Sequence, residues 1–325
     1  MLHIGVVAFL SHLPTFKIFF LGTASAIPTN DRGLSCTAIQ YENELEIFDC
    51  GEGAQRAALE MGLPLSKECS IFITHMHGDH VVGLLGLLQT MSMHRRERPL
   101  RVFGPKLVIP FIALNQKMLN FGLTYEVIAK AVRRGTVYDS KTSGFRVLAE
   151  RSEHSTLSYS YIFEQKERPG RFNTKEALRL GVPEGPLWSK LQKGAPVKSP
   201  ITGRMVRPGQ VLGPPRAGVR VGISGDTRPS SKLEAFFKGC EVIIFDSTYS
   251  DAHETNAREN MHTTAREAAT LAKNAGAKQL ILTHFSSRYR TVGVLVKQAR
   301  EVFPNTIAAQ DRMIYDVAAS FPSKP

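Results

Sequence analysis

From Thr15 onward, short apolar runs of strand length recur between turn residues. Phe16 to Leu21, Thr37 to Tyr41, Glu44 to Phe48, Ile71 to Thr74 and Arg101 to Phe103 form a first group. A second group follows at Phe145 to Ala149, Ser158 to Phe163, Arg220 to Ile223, Val242 to Phe245 and Gln279 to Thr283. Apolar residues at helical spacing predict helices over Val81 to Leu88, Phe111 to Leu119 and Thr263 to Asn274. Strands in two groups with helices between them predict an α/β protein of two half-sheets flanked by helices.

Glu164 to Arg216 breaks this pattern, with many Gly and Pro residues and little apolar periodicity, and reads as an insertion. It holds 11 Lys and Arg against 4 Glu, a net +7 out of +12 for the whole chain. A long insertion in a compact domain is usually functional or disordered, and a basic one is suited to gripping phosphate.

Composition narrows the picture further. At 325 residues, 42% hydrophobic and 22% charged, the chain has the makings of an ordinary globular protein of one large or two small domains. An excess of 41 Lys and Arg over 29 Asp and Glu gives a pI near 9.6 and points to a polyanionic partner, nucleic acid first. Cys36, Cys50, Cys69 and Cys240 lie far apart with no Cys-x-x-Cys pair, as expected of reduced structural thiols rather than a disulfide scaffold. Leu2 to Leu21 is apolar only in patches, broken by His3, His12, Pro14 and Lys17, and lacks the basic start of a signal peptide. No run reaches the ~18 apolar residues of a membrane span, so a soluble cytoplasmic protein is expected.

The densest chemistry is His75-Met76-His77-Gly78-Asp79-His80, between a buried strand and an apolar helix. At i and i+2, His75 and His77 face one point; past a bend at Gly78, Asp79 and His80 face a second. Mixed imidazole and carboxylate ligands suit zinc or a similar ion, and a water between two such ions is a hydroxide source near neutral pH. Two sites need more than four ligands. Three further candidates end buried strands: His154 in Ser152-Glu153-His154-Ser155, Asp226 after the turn-forming Gly225, and His284 after Thr283.

Together with Phe19-Phe20-Leu21-Gly22-Thr23, Phe48-Asp49-Cys50-Gly51-Glu52-Gly53-Ala54-Gln55, Gly225-Asp226-Thr227-Arg228-Pro229 and His284-Phe285-Ser286-Ser287-Arg288-Tyr289, these residues resemble the metallo-β-lactamase superfamily. Within it they resemble the ribonuclease Z family of tRNA 3′-processing endoribonucleases, over about residues 17 to 315. The resemblance implies a four-layer αββα sandwich spanning 17 to 325 after an N-terminal extension at 1 to 16. It also implies a protruding basic tRNA-binding arm at about 164 to 216.

It further implies His75, His77 and His154 on one zinc, Asp79, His80 and His284 on the other, and Asp226 bridging them. Mn²⁺ or Fe²⁺ are the other candidate metals. Asp79 would also orient or deprotonate the attacking water, and Asp49 would fix a ligating histidine. His262, in Asn260-Met261-His262-Thr263-Thr264, resembles the family's catalytic histidine and would protonate the leaving oxygen. Asp246 stands where the family often has Glu. His3, His12, His94 and His253 have no such context.

For RNA contact the resemblance implies Arg32 in the first loop, which senses the tRNA 3′ end, and Arg288 beside His284. In the insertion it implies Arg171, Lys175, Lys190, Lys193 and the Gly185-Pro186 pair. The expected partner is precursor tRNA, the expected assembly a homodimer, and no DNA or membrane is expected. The expected reaction leaves a 3′-hydroxyl on the tRNA and a 5′-phosphate on the trailer. The alternatives are a small-molecule phosphodiesterase, arylsulfatase or thioesterase on the same scaffold, which needs no basic arm, or a non-catalytic RNA-binding relative, which would have lost ligands.

Overall fold

Along the strand Glu44–Phe48, Leu45 and Ile47 pack on one face among helix residues, while Phe48 stacks on aromatic rings on the other. A strand buried on both faces must lie between two apolar layers, and the central strands of both sheets repeat this. The computed structural model describes residues 15–321. Of the expected extension at 1 to 16, residues 1–14 lie outside the described residues, and Phe16 opens the first strand.

The strands, in chain order, are β1 (Phe16–Gly22), β2 (Cys36–Tyr41), β3 (Glu44–Phe48), β4 (Glu68–Phe72), β5 (Leu100–Gly104), β6 (Val127–Ala131), β7 (Gly135–Asp139), β8 (Phe145–Arg151) and β9 (Tyr159–Gln165). They continue with the short β10 (Val197–Lys198) and β11 (Met205–Val206), then β12 (Arg220–Ile223), β13 (Val242–Asp246), β14 (Gln279–Thr283), β15 (Thr306–Ala308) and β16 (Ile314–Asp316). One seven-stranded sheet runs β16-β1-β2-β3-β4-β5-β6 and a second runs β15-β14-β13-β12-β9-β8-β7. The sheets meet through an aromatic layer: Phe16 and Tyr41 lie against Phe163, and Phe48 and Phe72 against Tyr161. Each buried ring of this kind contributes on the order of 2 kcal/mol.

On the outer face of the first sheet, Leu45, Ile47, Cys69 and Ile71 pack against the helices Ala54–Glu60 and Leu84–Met93. On the outer face of the second, Ile243, Phe245, Leu280 and Leu282 pack against Ser231–Phe237, Ala265–Asn274 and Gly293–Arg300. The layers are therefore helix, sheet, sheet, helix. All four cysteines are buried free thiols.

The helix expected over Val81 to Leu88 is broken in two. A turn spans Gly78–Val81 and the main helix starts at Leu84. Between them, a Cβ on Gly83 would lie 2.0 Å from the carbonyl oxygen of Gly51, so only glycine allows the two backbones to meet there.

Residues 15–163 and 220–321 contain both large sheets, whereas Glu164–Val219 forms its own compact unit. That unit has a small core of Ala177, Val182, Leu191, Val197, Val206 and Val211, with Phe172, Leu187 and Trp188 packed against it. The indole N–H of Trp188 donates to the Val182 carbonyl at 2.9 Å.

Candidate metal centre

The parallel strands β3, β4, β12, β13 and β14 end on loops that carry polar side chains to one place, as expected at the carboxyl ends of parallel strands. After β4 come Thr74, His75, His77, Asp79 and His80; after β12, Asp226; after β14, His284. β8 ends shortly before His154. Gly78 begins the helical turn instead of making a sharp bend, and His77 is its N-cap. The turn at Gly225 does require glycine: its φ is +59° and a Cβ would lie 2.8 Å from Thr74.

The ligand atoms fall into two sets. In the first, His75 Nε2 lies 3.0 Å from His77 Nδ1 and 3.7 Å from Asp226 Oδ2, and His154 Nε2 lies 3.3 Å from His77 Nδ1. In the second, His80 Nε2 and His284 Nε2 are 3.2 Å apart, each 3.2 Å from Asp226 Oδ1 and 3.5 Å from Asp79 Oδ2. A tetrahedral ion with bonds of about 2.0–2.2 Å has ligand–ligand edges of roughly 3.3–3.6 Å, so both sets fit a divalent cation of that size. Asp226 presents one oxygen to each set, and its Oδ1 is buried without a hydrogen-bond partner. An orphaned carboxylate oxygen facing imidazoles is what a cation site requires.

Surrounding groups select the imidazole nitrogens. His75 Nδ1 donates to Thr74 Oγ1 at 3.0 Å, and Thr74 in turn donates to Asp49. His80 Nδ1 donates to Asp49 Oδ2 at 2.8 Å, His284 Nδ1 to Thr248 Oγ1 at 2.9 Å and His154 Nδ1 to the Met261 carbonyl at 3.0 Å. Each therefore keeps Nε2 bare for a metal. Asp49, Met261 and His284 all have positive φ without being glycine, a clustering of backbone strain typical of functional sites.

Burial works against protonated His80 and His284, but the charge of Asp226 prevails, raising both and bringing His284 to about 10. His75 is pushed down to about 2 by burial and by neighbouring His80. Asp79 and Asp226 are held below the usual carboxylate range despite burial, by hydrogen bonds and charge from His80 and His284.

A cavity of about 650 Å³ opens beside the centre, lined by His77, His154, His262, Asn260, Ile27 and Arg288 among others. His262 precedes the N-cap Thr264 of the helix Ala265–Asn274, where Thr264 and Glu267 form a capping box. Arg228 donates to the His262 carbonyl and to the Glu267 carboxylate, fixing that corner. Burial disfavours charged His262, yet the Asp246 carboxylate raises its pKa.

The residues expected to meet RNA are distributed differently. Arg288 is exposed at the cavity, with its guanidinium 4.8 Å from the Tyr249 ring centre. Arg32 donates to the Tyr289 carbonyl at 2.6 Å and lies over Phe285, so its guanidinium holds the first loop in place. Arg171, Lys175, Gly185, Pro186, Lys190 and Lys193 are exposed on the Glu164–Val219 unit, with Pro186 opening the helix Pro186–Gln192. Sequence reasoning did not reach Thr74 and Thr248, although each lies next to a motif residue. Nor did it reach the Met261 carbonyl or the Ala26 amide, which donates to Asp79 Oδ2 at 2.9 Å. Backbone groups leave no residue-type signal.

Residues 16–139 match the family model of the anti-Pycsar protein Apyc1, and residues 195–285 match the beta-lactamase superfamily domain. The crystal structure of human tRNase Z, short form, superposes with a TM-score of 0.66 at 24% identity, covering 93% of this chain and 99% of that one, a likeness of fold. The fold is that of the metallo-β-lactamases. Ribonuclease Z of Methanothermobacter thermautotrophicus is 41% identical, with 93% of this chain and 97% of the relative covered. Ribonuclease Z of Nitrosopumilus maritimus is 44% identical over 93% of this chain and 99% of its own length. A likeness of that degree over nearly the whole of both sequences means that this chain belongs to the ribonuclease Z family.

Proposed function

We propose that the chain is an endoribonuclease that removes the 3′ trailer of precursor tRNA, leaving a 3′-hydroxyl on the tRNA and a 5′-phosphate on the trailer. The observation that supports this most is the joining, in a ribonuclease Z relative, of a two-set His and Asp centre sharing Asp226 with a unit of net charge +7.

His75, His77 and His154 would hold one divalent cation, Asp79, His80 and His284 the other, and Asp226 both. The donor chemistry favours Zn²⁺, with Mn²⁺ or Fe²⁺ as alternatives. Bound there, such ions supply an activated water and neutralise phosphate charge. Asp79, steadied by the Ala26 amide, would orient the attacking water and accept its proton. Attack in line at phosphorus breaks the bond to the 3′ oxygen, and His262 delivers a proton to that oxygen. Asp246 holds Nδ1 of His262, which leaves Nε2 as the donor.

Arg288 at the cavity and Arg171, Lys175, Lys190, Lys193, Gly185 and Pro186 on the basic unit would contact RNA, while Arg32 acts by holding the first loop. The homodimer and the cytoplasmic location belong to this reading through the family resemblance; among the described residues no helix is long and apolar enough to cross a membrane.

Gln165 N donates to Val219 O at 2.9 Å, so a short glycine linker can replace the unit between them. The shortened chain is expected to keep hydrolysis of bis(p-nitrophenyl) phosphate and lose cleavage of precursor tRNA. Undiminished tRNA cleavage would contradict the reading, and a full-length chain active on small esters alone would favour the small-molecule hydrolase.

A further inference from the structure

Three consecutive residues after β12 reach three parts of the centre. Asp226 presents one oxygen to each ligand set. Thr227 and Arg228 hold the loop of His154: Glu153 N donates to Thr227 Oγ1 at 3.1 Å, and Arg228 N donates to the Glu153 carbonyl at 2.8 Å. The Thr227 amide also donates to Asp246 Oδ2 at 3.3 Å, the oxygen that lies 2.9 Å from His262 Nδ1.

The Arg228 side chain reaches the backbone of His262. Its Nη1 donates to the His262 carbonyl and, at 3.0 Å, to Glu267 Oε2, while Nη2 donates to Glu267 Oε1. Glu267 Oε2 accepts in turn from Thr264 N at 2.9 Å, so one planar fork clamps His262 and the helix cap behind it onto the segment that carries Asp226. The clamp acts against strain. Met261, just before His262, has a φ of +58°, a conformation that a methionine keeps only where its surroundings impose it. The side chains of Arg228 and Glu267 are only 15% and 24% exposed, so solvent screens their attraction little.

We infer that Arg228 is a positioning residue for proton delivery: its fork keeps His262 at one spacing from Asp226, and so from the phosphate that the centre receives. The inference rests on the tRNA-processing reading and deepens it. A ribose 3′ oxygen is a poor leaving group without a proton, whereas nitrophenolate departs readily without one. Losing the position of His262 therefore costs the RNA reaction selectively.

The full-length, metal-loaded chain is compared with R228Q and E267Q on 3′-extended precursor tRNA and on bis(p-nitrophenyl) phosphate. R228Q is expected to lower kcat on precursor tRNA by about 10- to 100-fold, the effect of a small misplacement of a reacting group, with KM within about twofold and turnover of the small ester lowered by less than about threefold. E267Q keeps a side chain that can form the capping box and should show the same selective loss, smaller in size. R228Q/H262A should be no slower on precursor tRNA than H262A, because a group that acts through His262 then has nothing left to act on. Chelator competition should find metal held as firmly in R228Q as in the wild type. In the metal-free chain, hydrogen exchange at 261–265 should be faster in R228Q than in the wild type.

An equal loss on both substrates, a loss that adds to that of H262A, or weakened metal retention would overturn the assignment and make Arg228 a support of the whole centre. Unchanged exchange at 261–265 would remove the clamp itself, whatever the substrate. A wild-type chain inert toward precursor tRNA would instead bring down the proposed function, and the exchange result would still decide the clamp.

Discussion

Nδ1 of His262 lies 2.9 Å from Oδ2 of Asp246, a carboxylate with no solvent exposure whose other oxygen accepts from Thr248 Oγ1 at 2.7 Å. Thr248 Oγ1 in turn accepts from His284 Nδ1, so one carboxylate orients both the proposed proton donor and a candidate ligand. His262→Ala is expected to lower kcat by about 10² to 10⁴ with KM for precursor tRNA little changed. Asp246→Asn removes the charge that raises the pKa of His262, so the alkaline limb of the pH–kcat profile should move to lower pH. An unmoved limb would sever His262 from proton donation.

Asp49 acts on the centre from outside it. Its carboxylate accepts from the Thr74 amide at 2.7 Å, from Thr74 Oγ1 at 2.9 Å and from His80 Nδ1 at 2.8 Å. Removing such a support typically costs 10- to 100-fold in metal affinity. Asp49→Ala should therefore lose metal to a chromophoric chelator at correspondingly lower chelator concentration; equal retention would place Asp49 outside the metal's hold.

The charge of Asp226 overcomes burial and raises the pKa of His80 and His284, so cation binding at their Nε2 atoms should release protons. Metal affinity should accordingly rise with pH between about pH 6 and 8, by up to tenfold per unit for each proton released. Calorimetry in buffers of different ionisation heat counts those protons, and a count of zero would contradict this linkage.

Glu46 lies between the sheets with no solvent exposure and no hydrogen-bond partner for either carboxylate oxygen. Burial, then the charge of Glu44, raises its pKa well above the ordinary value. A carboxyl raised in the folded state gives full stability below its unfolded pKa and loses it as pH climbs toward the folded one. Glu46→Gln should therefore gain on the wild type from pH 5 to 8, by about 2–4 °C in Tm for each kcal/mol relieved. A gap that is constant with pH would refute this.

Much of this molecule is legible as sequence because its central strands are buried and carry short apolar stretches between turn residues. Glu44–Phe48, Arg220–Ile223 and Gln279–Thr283 have the same bounds in the pattern and in the structure. β6 and β7 escaped because they are only partly buried, with exposed Lys130, Gly135 and Thr136 interrupting the pattern. The core of the Glu164–Val219 unit escaped for a different reason: Ala177, Val182, Leu191, Val197, Val206 and Val211 come from elements and loops too short to show a period. In the centre, residue type and spacing bring out the seven candidate ligands. The hydrogen bonds that leave Nε2 free on His75, His154 and His284 come from Thr74, the Met261 carbonyl and Thr248, which only three-dimensional contact reveals.

The central claim is tested most directly by incubating the purified, metal-loaded chain with a 3′-extended precursor tRNA and mapping both product ends, alongside Asp79→Ala. The account predicts a tRNA ending in a 3′-hydroxyl just past the acceptor stem and a trailer beginning with a 5′-phosphate, both absent with the variant. An intact precursor beside rapid turnover of a small phosphodiester or thioester would contradict it.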